Sequence, residues 1–198
     1  MKSIKGIISV LVLILLLFQS LLLNPWWHRL IFNFLEQGQA LQADRAQLLD
    51  HFRWGAGIDK LQFSSAELLH VQDIALLLAQ EQATVWLAII ALIIALLFVC
   101  RKCPWSEYVE SVSQGARLVA GWLLAMALIV SLQFESLFRA AHLWLFPGGN
   151  WEFDPTDDRI IQLYPPEFFG IFFPATLGLI IIACGLLYLL LRLVMPRR

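Results

Sequence analysis

Two histidines, His70 and His142, stand where an imidazole could move a proton. His70 lies in Glu67-Leu68-Leu69-His70-Val71-Gln72-Asp73-Ile74, and on a helix its spacing of three from Asp73 puts both on one face. A histidine with a carboxylate one turn away can be a general base with its orienting partner, or half of a metal site. The same spacing fits a solvated polar face of an amphipathic helix. His142 closes Phe138-Arg139-Ala140-Ala141-His142 and is followed by Trp151 and then Glu152-Phe153-Asp154-Pro155-Thr156-Asp157-Asp158. Its aromatic and aliphatic neighbours also suit a structural histidine. Pro147-Gly148-Gly149-Asn150 and Asp154-Pro155 read as turns, with Thr156 or Asp157 placed to cap a short helix.

Other chemistries find less support. His28 and His51 sit in amphipathic surroundings beside Arg29 and Asp50 and are read as structural. The serine-hydrolase elbow, the H-E-x-x-H zinc pattern, the phosphate loop and the dinucleotide fingerprint do not occur. Cys100 and Cys103 form a C-x-x-C without the two further ligands of a zinc site or the βαβ setting of a redox motif, and Cys184 lies in an apolar run as a small hydrophobe. A net charge of −1 suggests no nucleic-acid partner.

The elements that must position these residues are membrane helices. Of the 198 residues 60% are hydrophobic and only 15% charged, and mean hydropathy is +0.73. Soluble domains run near 45–50% apolar and about 25% charged. Uncharged apolar stretches at about 6–23, 84–100, 118–134 and 168–191 each approach the length needed to cross a hydrocarbon core of about 30 Å, where only helices satisfy the backbone. The expected fold is all-α: one integral membrane domain, a bundle of four transmembrane helices. The first stretch lacks a small-x-small cleavage pattern and is read as an uncleaved anchor.

Charge placement gives the expected orientation. Lys2, Lys5, Arg101, Lys102, Arg117, Arg192, Arg197 and Arg198 fall on one side of the four spans with only Glu107 and Glu110, whereas the other side carries six basic and thirteen acidic residues. The positive-inside rule then puts both termini in the cytoplasm, N-in and C-in. Segments 24–83 and 135–167, which hold all four histidines, become extracytoplasmic and helical. Trp26, Trp27, Leu30, Ile31, Phe34 and Leu35 recur at helical spacing suited to the interface. Ser64-Ser65-Ala66-Glu67 is a capping-box pattern that opens a helix running into the second span, and Pro165-Pro166 delays the last helix.

The pattern Phe63-Ser64-x-x-Glu67-x-x-His70-x-x-Asp73-Ile74, then His142 and Trp151, then Phe153-Asp154-Pro155-x-x-Asp158-x-x-Ile161-x-x-Tyr164-Pro165-x-x-Phe168-Phe169, resembles the lipoprotein intramolecular transacylase family. The likeness runs along the whole chain. Val71, Ile74 and Ala75 replace the usual Met, Val and Lys of the first block, and Ala141 replaces a Phe before the second histidine.

The resemblance implies a bacterial cytoplasmic-membrane acyltransferase that needs no cofactor or metal. Its substrate would be a diacylated lipoprotein met among membrane lipid, and the sn-2 acyl chain of the diacylglyceryl cysteine would pass to that cysteine's own α-amino group. His70 and His142 would be the catalytic pair. Glu67, Asp73, Trp151, Asp154 and Asp158 would orient them or contact substrate.

An α-amine titrates near 7.7–8.0 and needs a base to become nucleophilic, while a second histidine or an indole N–H can stabilise the developing oxyanion. His142 is expected as base and His70 as oxyanion partner or acid, in exchangeable roles. Residue types alone also allow a metal-dependent hydrolase using His70, Asp73, His142 and Asp154, or a non-enzymatic partner-binding membrane protein.

Overall fold

The computed structural model describes residues 2–35, 41–58, 61–101 and 103–194, so that Lys102, Arg197 and Arg198, used for the expected orientation, lie outside it. Among these residues all regular structure is helical: α1 Lys2–Leu22, α2 Pro25–Phe34, α3 Gln42–Trp54, α4 Ser65–Cys100, α5 Trp105–Leu132, α6 Phe134–Leu145, α7 Arg159–Leu163 and α8 Pro166–Val194.

Local chemistry sets most boundaries. Asn24 caps α2 by accepting from the N–H groups of Trp26 at 3.0 Å and Trp27 at 3.2 Å, and Pro25 occupies the first turn, where its missing N–H costs nothing. Gly55 ends α3 at φ +70°, in the left-handed region that favours glycine. At the start of α4 the capping box forms as expected: Ser64 N–H donates to Glu67 Oε2 at 2.7 Å and Glu67 N–H to Ser64 Oγ at 3.3 Å. The paired prolines separate α7 from α8, which begins at Pro166.

Two boundaries differ from expectation. The third apolar run does not stay in one helix to Phe134; α5 ends at Leu132, and α6 restarts after Gln133 without a Gly or Pro to announce the break. The residue before α7 is Asp158 rather than Thr156 or Asp157, and its carboxylate accepts from Asp154 N–H at 2.8 Å instead of capping the helix.

Four helices, α1, α4, α5 and α8, are long and apolar enough to cross a membrane. Their apolar side chains largely point outward: Ile90, Ile94, Leu97, Trp122, Leu128, Leu132, Leu186, Leu190 and Leu193 are all exposed. So much outward-facing apolar surface is untenable in water and suits lipid. Pro174 lies inside α8, a position tolerated in membrane helices.

By contacts the chain forms two compact units, Met1–Ser20 with Gln82–Ile129 and Ala175–Arg198, and Leu21–Glu81 with Val130–Pro174. The first unit packs Val10 of α1 against Val112, Ala116, Val119 and Leu123 of α5 and Ile180 and Cys184 of α8. Small residues let α1 and α5 meet closely. Gly6 N–H donates to Ser111 Oγ at 2.9 Å, and a Cβ on Gly115 would stand 2.5 Å from the Gly6 carbonyl carbon. Gly115→Val should therefore force the helices apart, losing about 3 kcal/mol, the upper end for overpacking. A thermal unfolding midpoint in detergent unchanged from wild type would contradict this contact.

The second unit has its own core of Leu48, Leu61, Val71, Ile160 and Leu163. Around it, Arg45 Nε donates to the Leu163 carbonyl at 2.9 Å while its guanidinium lies 3.6 Å over the Phe32 ring, and Arg159 pairs with Asp44. Glu67 is buried, and its Oε1 accepts from Ile160 N–H at 2.7 Å. One carboxylate thus caps α4 and holds the start of α7 against it.

Candidate active site

The second unit contains a cavity of about 610 Å3 lined mostly by Leu, Ile, Phe and aromatic residues from α3, α4, α6, α7 and the first turns of α8, together with His70, His142 and Trp151. Among the described residues Arg139 and Glu152 supply its permanent charges.

His142 is set by α6. Phe138, His142 and Phe146 follow one another at intervals of four and form a stripe, with the His142 ring 4.1 Å from Phe138 and 5.5 Å from Phe146. Its Nδ1 lies 2.8 Å from the Phe138 carbonyl oxygen. A carbonyl only accepts, so Nδ1 carries the proton and donates it, and Nε2 of the neutral ring keeps its lone pair. The Trp151 ring packs 5.0 Å from the imidazole.

His70 faces this group from α4, with ring centroids 6.4 Å apart. It is 5% exposed, stands against Phe146 at 4.6 Å and Phe153 at 5.3 Å, and its buried Nδ1 has no hydrogen-bond partner among the described residues.

Of the remaining expected site residues, Trp151 lines the cavity and four stand elsewhere. Asp73 accepts a 2.7 Å bond from Asn150 Nδ2, so this carboxylate ties α4 to the turn before Trp151. Glu67 is the buried cap and strut of α4 and α7. Asp154 accepts from the N–H and hydroxyl of Thr156, which hold its carboxyl below the usual range, and Asp158 closes the same turn. His70, Asp73, His142 and Asp154 do not converge; among the described residues no three His, Cys, Asp or Glu side chains are grouped to hold a metal.

That Phe138, His142 and Phe146 form one stripe, that Phe146 and Phe153 pack on His70, and that Arg139 pairs with Glu152 escaped the sequence reading. The interval of four from Phe138 to His142 to Phe146 was the one signal that could have revealed the stripe.

His28 belongs to the frame. Its Nε2–H donates to the Leu22 carbonyl at 2.8 Å, leaving Nδ1 to accept from Tyr164 O–H at 3.0 Å. Burial lowers its pKa to about 4 and raises that of Tyr164, so both stay neutral. A depressed histidine pKa stabilises the fold above the unfolded value near 6.5, and that contribution is lost as pH falls towards 4. Acidification from pH 7 to 4 should therefore remove about 3 kcal/mol of stability, and His28→Asn should flatten this limb of a melting-temperature profile. An equal acid limb in the variant would contradict the assignment.

His51 is likewise engaged, with Nδ1–H donating to the Ala56 carbonyl at 2.7 Å.

Fold and cavity together define an integral membrane protein, helical throughout the regular structure of its described residues, with a histidine pair in a mainly apolar chamber. The model of the lipoprotein intramolecular transacylase family, Lit, matches residues 3–169, and the chain belongs to that family. It is an acyltransferase of the intramolecular lipoprotein transacylase type.

The fold is shared with the membrane-integral transacylase Lit from Bacillus cereus, at 22% identity and TM-score 0.66 over 97% of this chain and 91% of that one. A variant of the same protein with one histidine changed to arginine aligns at 20% identity and TM-score 0.70, over 97% and 89% of the two chains. No curated protein matches by sequence.

Proposed function

We propose that the protein moves the sn-2 acyl chain of a lipoprotein's N-terminal diacylglyceryl cysteine onto that cysteine's α-amino group, in a bacterial cytoplasmic membrane. The observation that carries this reading is His142 with Nδ1–H fixed on the Phe138 carbonyl, which leaves the Nε2 lone pair of the neutral ring as the basic site, facing His70 in a mainly apolar cavity. His142 Nε2 takes a proton from the α-amine as the amine nitrogen attacks the ester carbonyl. His70 donates to the oxyanion that develops. When the tetrahedral intermediate collapses, the ester C–O bond breaks, the amide C–N bond remains, and His142 returns the proton to the departing glyceryl oxygen. Mass is conserved within one molecule.

Amine and ester arrive on the same substrate, so positioning replaces an acyl-enzyme. The mainly apolar lining accepts the migrating chain and excludes water that would hydrolyse the ester. The Lys/Arg bias supports an N-in, C-in chain, with the histidine cavity on the extracytoplasmic side where exported lipoproteins mature.

A synthetic lipopeptide with an isotopically heavy acyl chain at sn-2 and a light one at sn-1 tests the regiochemistry. Fragmentation should find the heavy chain on nitrogen. A light chain there would replace the sn-2 reading with sn-1 transfer.

A further inference from the structure

Beside the reacting pair stands a charged feature for which the transfer chemistry has no use. Glu152 follows Trp151, whose ring packs on His142, and Arg139 precedes His142 by one turn of α6. Both line the cavity, both are about two-thirds exposed, and Arg139 Nη2 lies 4.0 Å from Glu152 Oε1. An exposed pair at that distance contributes little to stability. It does place a carboxylate, the one that lines the cavity among the described residues, one residue from the ring that packs on the proposed base.

The substrate brings a matching charge. A free α-amine titrates near 7.7–8.0 and so arrives largely as an ammonium at neutral pH. Resting on the α-amine as acceptor, we infer that Glu152 forms an ammonium subsite at the cavity mouth, receiving the lipoprotein's α-ammonium in exchange for Arg139. Glu152 draws the charged N-terminus to His142; the ammonium gives its first proton to water at the open mouth, the neutral amine is no longer held by charge, and His142 then takes the second proton as that amine attacks. An amine already acylated brings no charge, so the subsite selects substrate over product. Arg139 competes for Glu152 in the empty enzyme.

Binding can be measured apart from reaction. A dialkyl-ether lipopeptide has no ester to transfer, and its affinity for the full chain in lipid nanodiscs is compared with that of the same ligand N-acetylated. The wild type should bind the free amine about fivefold more tightly at about pH 7, the upper range for an exposed ion pair. The preference should vanish at about pH 9.5, where the amine is neutral. Arg139, His142, His70 and Tyr164 are the other ionisable residues that line the cavity among the described residues.

Glu152→Gln should abolish the preference, Glu152→Asp should retain part of it, and Arg139→Gln should increase it. A preference that survives in Glu152→Gln, or that is absent from the wild type, overturns the subsite. Wild-type preference without transfer on an ester substrate would leave the subsite standing and reject the transacylation reading instead.

Discussion

His142→Ala should slow N-acylation of a diacylated lipopeptide by about 10^2- to 10^4-fold, the contribution usual for a positioned general base. The loss should fall on kcat, with KM little changed, because the imidazole acts on a proton rather than holding the acyl chains. It should also be partly repaired by added imidazole, which can enter the space vacated in the cavity. The geometry explains why this histidine is suited to the role. Its Nδ1–H is held by the Phe138 carbonyl at 2.8 Å, fixing both the tautomer and the ring plane, and Trp151 and Phe138 close on the ring at 5.0 Å and 4.1 Å. An alanine variant that keeps wild-type kcat would remove His142 from the reaction.

His70 should be the second large effect. Loss of an oxyanion donor lowers kcat by about 10^2- to 10^3-fold. Because His70 packs between Phe146 and Phe153, truncation would also leave a hole in the cavity wall. His70→Phe separates the two roles: the ring contacts and melting temperature should survive while the rate falls. A His70→Phe enzyme that remains fully active would reduce His70 to packing. When His70 and His142 are replaced together, the losses should be less than multiplicative, since each acts only in the presence of the other.

Much of the frame was legible in the sequence because membranes enforce simple rules. Uncharged runs of helical length mark α1, α4, α5 and α8, and Ser64 with Glu67 marks the start of α4, since a capping box is a local interaction over three residues. The break at Gln133 was not legible, because apolar residues on both sides continue the pattern and tertiary packing decides where the chain turns.

The site divides along the same line. The histidines announced themselves by type and by the family pattern, whereas the partners of the nearby carboxylates did not. Asp73 sits one turn from His70, yet its bond goes to Asn150, 77 positions away, and Glu67 reaches Ile160 across 93 positions. Spacing along a helix reports which residues share a face but not what another segment places opposite that face. Only the assembled second unit decides that Asp73 steadies the turn before Trp151 and that Asp154 and Asp158 brace their own loop.

The most direct test of the central claim is mass spectrometry of the N-terminal peptide of a diacylated test lipoprotein, matured with and without this protein in the membrane. The expected product has unchanged total mass and fragments that place one acyl chain on the cysteine nitrogen, leaving a free glyceryl hydroxyl. A diacylglyceryl cysteine recovered intact, with the protein verified in the membrane, would contradict intramolecular transfer by this chain.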